Sequence, residues 1–222
     1  MEHEKRALLS IGDEIKKRFG LAESGEEIWE MIDSCRKPHM EARDVRYIPV
    51  RDLIASCLRE ILDKQGMEMG VEDEKWIKEL YIRAHEDHVR LAKNALPGLK
   101  ELRSLAWHMG VISDADSDYL MRLLKSLKIL DFFDSVTSSE EAGVGKPNPE
   151  IFRKAIEKAG NGDLYYHIGD SERRDIAGAK RLGLIAIKIS RESDRNSEAD
   201  YVAEDLHDAA MWIRRNVIKE RR

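Results

Sequence analysis

The sequence predicts an α/β protein in two parts, a helical bundle over residues 1–95 and a doubly wound parallel-sheet core over residues 96–222. Three observations predict it. Residues 165–189 read as strand, acidic turn, helix and strand. Tyr165, Tyr166 and Ile168 form a short apolar run that stops at Gly169-Asp170. Ile176, Ala177, Ala179 and Leu182 then make a short helix closed by Gly183, and 184–189 is a second apolar run. Such a unit joins parallel strands through a right-handed crossover. Secondly, strand-like and helix-like stretches alternate from residue 96 onward. Thirdly, residues before that point carry helical periodicity only, the one strand candidate being interrupted by Pro49.

Leu8, Ile11, Ile15 and Phe19 fall on one helical face, ended by Gly20. Ser24 and Glu27 are spaced as a capping box ahead of a second face made by Ile28, Met31, Ile32 and Cys35, which Pro38 is expected to stop. After a loop over 45–50, Leu53, Ile54, Cys57, Leu58, Ile61 and Leu62 give the cleanest amphipathic pattern, closed by Gly66. Trp76, Ile77, Leu80 and Ala84 mark a fourth helix. In the second part, Leu99, Leu102 and Leu105 predict a short helix, and 107–112 a buried strand ending in Ser113-Asp114-Ala115-Asp116. A helix with Leu120, Leu123, Leu124 and Leu127 follows, then a short strand near Val136. Gly145-Lys-Pro-Asn-Pro149 opens a helix carrying Ile151, Phe152, Ala155 and Ile156. A last strand at 200–202 precedes a terminal helix.

The chain has 222 residues, 36% of them charged, with a net charge of −5. That balance predicts a well-solvated surface without the basic footprint of a nucleic-acid binder. No apolar run approaches the length of a membrane span, and the early charges Glu2, Glu4, Lys5 and Arg6 do not fit a signal peptide, so a cytoplasmic location is expected. Cys35 and Cys57 each fall on an apolar helix face and are expected as separate core thiols, not as a disulfide or metal site.

Three strand ends carry polar signals: Ser113 with Asp114, Lys146 before a proline, and Asp170 with Asp175. Ligands of open α/β sheets bind beyond the carboxyl ends of the strands. A hydroxyl with free backbone N–H groups at such an end suits a phosphate, and a lysine adds a point charge. Two carboxylates suit a hard cation such as Mg²⁺. Each residue also has a plainer reading. Ser113 can be a helix cap, Lys146 a surface lysine, and the two acids a solvated turn and a helix-dipole partner. Their joint order along the chain favours a shared site.

With these motifs the chain resembles the haloacid dehalogenase superfamily of phosphohydrolases. The matches are the apolar run ending at Ser113, Gly145-Lys146-Pro147, and Gly169-Asp170-x4-Asp175, with similar text at SDADSDYLMRLLKSLKI, DFFDSVTSSEEAG and ADYVAEDL. The likeness is greatest to small archaeal Mg²⁺-dependent phosphatases with a helical cap. It implies a Rossmann-like core with an α-helical cap domain, and a small phosphorylated molecule as substrate. It further implies that Ser113, with the Asp114 backbone, binds phosphoryl oxygens. Lys146 neutralises phosphate and nucleophile, Asp170 is the principal acid on Mg²⁺, and Asp175 is a second ligand or an outer-shell acid. In this architecture the cap selects the substrate, and Arg43, Arg46, Tyr47 and Arg51 are its candidate contacts, with a solvated loop as the alternative.

One feature departs from the pattern. Family members begin with an apolar strand ending in Asp-x-Asp-x-Thr or a close variant, whose first aspartate attacks phosphorus. No such strand precedes Met1-Glu-His-Glu-Lys-Arg, and Asp13 lies within a helix pattern. The expectation is therefore a core without its first strand, and a phosphatase inactive as written for want of its nucleophile. A start set downstream of the true one would account for this. The other readings are a catalytically dead phosphate- or metal-binding regulator on the same fold, and a response-regulator receiver. The receiver is disfavoured because its acids would precede Ser113, whereas here they follow Lys146. The oligomeric state is not legible.

Overall fold

The structure, a computed structural model, describes residues 2–41, 45–191 and 196–220. The chain divides into two compact units, one of residues 1–90 and 115–128, the other of 91–114 and 129–222.

The first unit is helical. Helix α1 (Glu2–Phe19) buries Ile11 and Ile15 of its predicted face together with Ala7, while Leu8 and Phe19 are partly buried against the same core. Helix α2 (Gly25–Glu41) opens on the predicted capping box: the Ser24 N–H donates to Glu27 Oε2 at 2.7 Å, and the Glu27 N–H donates to Ser24 Oγ at 3.3 Å. Helices α3 (Val50–Lys64) and α4 (Val71–His88) add Ile54, Leu58, Leu62, Ile77 and Leu80 to one shared core. Later in the chain α6 (Ser117–Ser126) joins this unit through α4, where Arg122 forks onto Glu79 and Glu86 at 2.7–2.9 Å.

Two expectations fail here. Pro38 lies inside α2, which runs on to Glu41. A proline removes one donor and crowds the preceding turn, but this one falls in the last turn, where little helix remains to disrupt. Cys35 and Cys57 are joined in a disulfide with a Cα–Cα separation of 5.8 Å. The core-facing placement holds for Cys57, which is 1% exposed. What the sequence cannot display is that α2 and α3 pack side by side and bring the two faces together at bridging distance.

The second unit carries all the described strands. Helix α5 (Ala95–Leu105) leads to β1 (Gly110–Ser113), which pairs in parallel with β2 (Ser135–Ser138). Helices α7 (Ser139–Ala142) and α8 (Pro149–Ala159) precede β3 (Tyr166–Gly169). A π-turn over Glu172–Ile176 runs into the short α9 (Ala177–Lys180). Strand β4 (Ile185–Ile189) then pairs in parallel with both β3 and β5 (Tyr201–Ala203), and α10 (Leu206–Glu220) ends the fold. The predicted strand at 107–112 is shifted: Trp107 is 96% exposed and pairing begins only at Gly110. Apolarity at Trp107 therefore marks a loop and not a buried strand.

The strands form two separate sheets, β1-β2 and β3-β4-β5. No ladder joins β1 to β3 among the described residues. One apolar cluster nevertheless underlies both, with Ile112 of β1 packed on Ile151, Phe152, Ile176 and Ala186.

Candidate active site

The second unit brings its polar strand ends together through particular local devices. Strand β1 stops at Ser113, in register with Ser138 of β2. The next residue, Asp114, turns its carboxylate toward the loop before α8, where Oδ1 accepts the Lys146 N–H at 2.7 Å. Asn148 caps α8 by accepting from the Glu150 N–H at 3.0 Å, and Pro149 supplies its first residue. The Lys146–Pro147 peptide is cis. With its N–H held by Asp114, Lys146 extends Nζ to Asp175 Oδ1 at 2.6 Å and to the Ile112 carbonyl at 3.4 Å.

Asp175 reaches this position because the chain after β3 makes a π-turn. The Asp175 and Ile176 N–H groups both donate to Ser171 O, at 2.8 and 3.1 Å. Its carboxylate lies against bare backbone: a Cβ built on Gly169 would stand 2.4 Å from Asp175 Cγ, so only glycine fits there. Oδ2 accepts from the Ser171 N–H at 3.0 Å, and Oδ1, already bound to Lys146, lies 3.2 Å from His167 Nε2. Asp175 is 4% exposed. Burial alone would raise its carboxyl, but the His167 bond, the Lys146 charge and hydrogen bond, and the Ser171 N–H outweigh it and hold the group well below the usual carboxylate range.

The predicted residues thus occupy different situations. Lys146, Asp175 and Asp114 are in one network. Ser113 is half-buried at the end of β1, its hydroxyl making no hydrogen bond among the described residues. Asp170 is exposed at the end of β3, and its carboxylate has no partner among the described residues. No group of three or more His, Cys, Asp or Glu side chains able to hold a metal occurs among the described residues. The donor chemistry is still compatible with Mg²⁺, which keeps several waters and needs only one or two carboxylates beside a phosphate. Asp170 is the acid free to serve, while Asp175 is engaged by Lys146.

Sequence reasoning missed His167, although a histidine within the apolar run YYHIG was the available signal. It also missed Asp116 in the first unit. That carboxylate is 3% exposed and accepts from Tyr47 Oη at 2.5 Å, the Val50 N–H at 3.1 Å and Arg51 Nε at 2.9 Å. Arg51 is committed to Asp116 and Asp118, whereas Arg46 is exposed. Arg43 lies outside the described residues.

Comparison with known proteins agrees with the fold. The haloacid dehalogenase-like hydrolase family matches residues 21–189, and the chain belongs to that family. A glyceraldehyde 3-phosphate phosphatase of Methanocaldococcus jannaschii is 32% identical over 136 residues, 60% of this chain and 60% of that protein. The Pyrococcus abyssi protein of the same name is 36% identical over 115 residues, 50% of this chain and 48% of its own length. A pyrimidine 5'-nucleotidase of Escherichia coli is 30% identical over 142 residues, 62% of this chain and 63% of that protein. The chain spans about half to three fifths of the length of the curated relatives it matches. Among solved structures, a HAD-hydrolase from Bacillus subtilis bound to magnesium superposes with a TM-score of 0.75 at 17% identity, covering 96% of this chain and 93% of that one. The L-2-haloacid dehalogenase of Xanthobacter autotrophicus gives 0.70 at 19% identity, covering 93% of each. These two likenesses establish the fold alone.

Proposed function

We propose that the chain is a phosphatase of a small phosphorylated metabolite, with residues 96–222 as the reacting core and residues 1–95 as the helical cap. The observation that carries this reading is the Lys146–Asp175 pair at 2.6 Å, pinned by Asp114 beside the open hydroxyl of Ser113. Lys146 has three donors, and the two directed at Asp175 and Ile112 leave one for a phosphoryl oxygen. Ser113 and the backbone that follows it bind the other oxygens. Asp170 would hold Mg²⁺, with Asp175 behind it as the acid that fixes Lys146. When bound, the cation neutralises phosphoryl charge. Transfer through an aspartyl-phosphate further requires an aspartate at the end of a strand between β1 and β3. A second reading on the same fold is a phosphate- or metal-binding regulator.

Calorimetric titration of inorganic phosphate, with and without Mg²⁺, tests the shared part of both readings. Wild type is expected to bind, with Lys146→Ala losing phosphate and Asp170→Asn losing the Mg²⁺ dependence. Equal binding by wild type and Lys146→Ala would remove the site.

A further inference from the structure

We propose that His167 is a positioning residue that holds Asp175, and through it Lys146, in the geometry that receives phosphate; this rests on the phosphate-site reading given above. His167 belongs to β3 and is 8% exposed, too buried for a role on the surface. Its ring stands edge-on to Phe152, with centroids 5.1 Å apart and planes at 76°. Phe152 is itself fully buried, so packing fixes the orientation of the imidazole plane. That orientation puts Nε2 3.2 Å from Asp175 Oδ1, the same oxygen that binds Lys146.

A carboxylate has no proton to give, so Nε2 must be the donor in this contact. The arrangement amounts to a three-point fixation of Asp175. The Ser171 N–H holds Oδ2, His167 holds Oδ1 from the strand side, and Gly169 leaves the bare surface on which the carboxylate rests. Lys146 is the mobile partner, a flexible stem with a rotating ammonium. Its direction is set by where Oδ1 sits. Without the His167 donor, Asp175 keeps its charge and its Ser171 bond but can turn about its Cβ–Cγ bond. Lys146 then loses its fixed direction although the ion pair survives. The residue acts by geometry and touches neither phosphate nor metal.

The test uses the 222-residue chain. Heteronuclear NMR of the histidine side chains in wild type is expected to show a proton on Nε2 of His167; a bare Nε2 would overturn the proposal without any variant being made. The Lys146 ammonium, assigned by its loss in Lys146→Arg, is expected as a slowly exchanging resonance in wild type and in His167→Gln, whose amide nitrogen reaches the place of Nε2. In His167→Leu it should broaden into the exposed lysines. Inorganic phosphate affinity should fall about tenfold in His167→Leu, the order expected for one lost bond to a charged group, and recover to within about threefold in His167→Gln. An ordered Lys146 in His167→Leu, or a glutamine variant no better than leucine, would show a merely structural histidine. Should wild type bind no phosphate at all, the phosphatase reading fails while the tautomer and the Lys146 signal still decide the role of His167.

Discussion

Asp116 shows how one buried carboxylate can do the work of a cap that a helix far away in sequence, α3, lacks. Helix α3 starts after Pro49, which has no side chain able to satisfy the first N–H groups. Asp116 accepts two of them, from Val50 at 3.1 Å and Arg51 at 3.4 Å, and adds Tyr47 Oη and Arg51 Nε. Burial pushes its carboxyl up, but the Tyr47 and Arg51 bonds, the Val50 N–H and the Arg51 charge bring it below its ordinary value. A lowered folded value means that the stabilisation is present above the unfolded carboxyl range, near pH 4, and is lost as pH falls through the folded value. Asp116→Asn should therefore cost about 1.5–3 kcal/mol at neutral pH, the scale of hydrogen bonds to a charged group. Its stability should also decline less steeply than wild type on acidification. Urea midpoints at neutral and acid pH measure both effects, and Tyr47→Phe should reproduce part of the first.

At the scale of elements, the Cys35–Cys57 bridge ties α2 to α3 across 22 residues of sequence. Closing a loop of that length restricts the unfolded chain by about 3 kcal/mol in the loop-entropy account. Reduction, or Cys35→Ser, should then lower the melting temperature by roughly 6–12 °C at the sensitivity of a chain this size. Thiol counting under denaturing conditions gives the independent check. The bridge also marks where sequence reading stops. The first four helices of the chain were legible because apolar spacing is a local signal, and the Ser24–Glu27 box appears as its spacing implied. The strand ends at Ser113 and Gly169 were legible because polar residues cut off apolar runs there. Partners far apart in sequence were not. Nothing local says that Cys35 meets Cys57, that Asp116 caps α3, or that the Asp170-x4-Asp175 spacing is taken up by a π-turn which gives Asp175 to Lys146 and leaves Asp170 open. Trp107 misled because an apolar side chain beside a strand was read as part of it.

At the scale of the molecule, the second unit has a sheet in two pieces over one apolar cluster. Strands of parallel sheets are normally covered on both faces and paired on both edges. Here β4, paired on both sides, is buried at its three central residues, whereas β1 has no fully buried residue. Both β1 and β3 end at residues of the candidate site, so a strand between them would deliver its last residue beside Ser113 and Asp170. A strand of about five or six residues, each side chain contributing about 1.5–3 kcal/mol on burial, would add on the order of 8–15 kcal/mol. Satisfying the free edges adds to that, at about 1–3 kcal/mol for each buried unpaired backbone group. That sum is comparable to the whole stability of a domain, about 5–15 kcal/mol. A version of the chain preceded by such a strand is therefore expected to melt well above the 222-residue chain. If that strand ends in Asp-x-x-Gly-Thr, Mg²⁺-dependent hydrolysis of an aryl phosphate should appear with it. Differential scanning calorimetry and a colorimetric phosphate assay on the two versions decide the matter. Equal melting temperatures for the two versions would show that the two sheets suffice without a further strand.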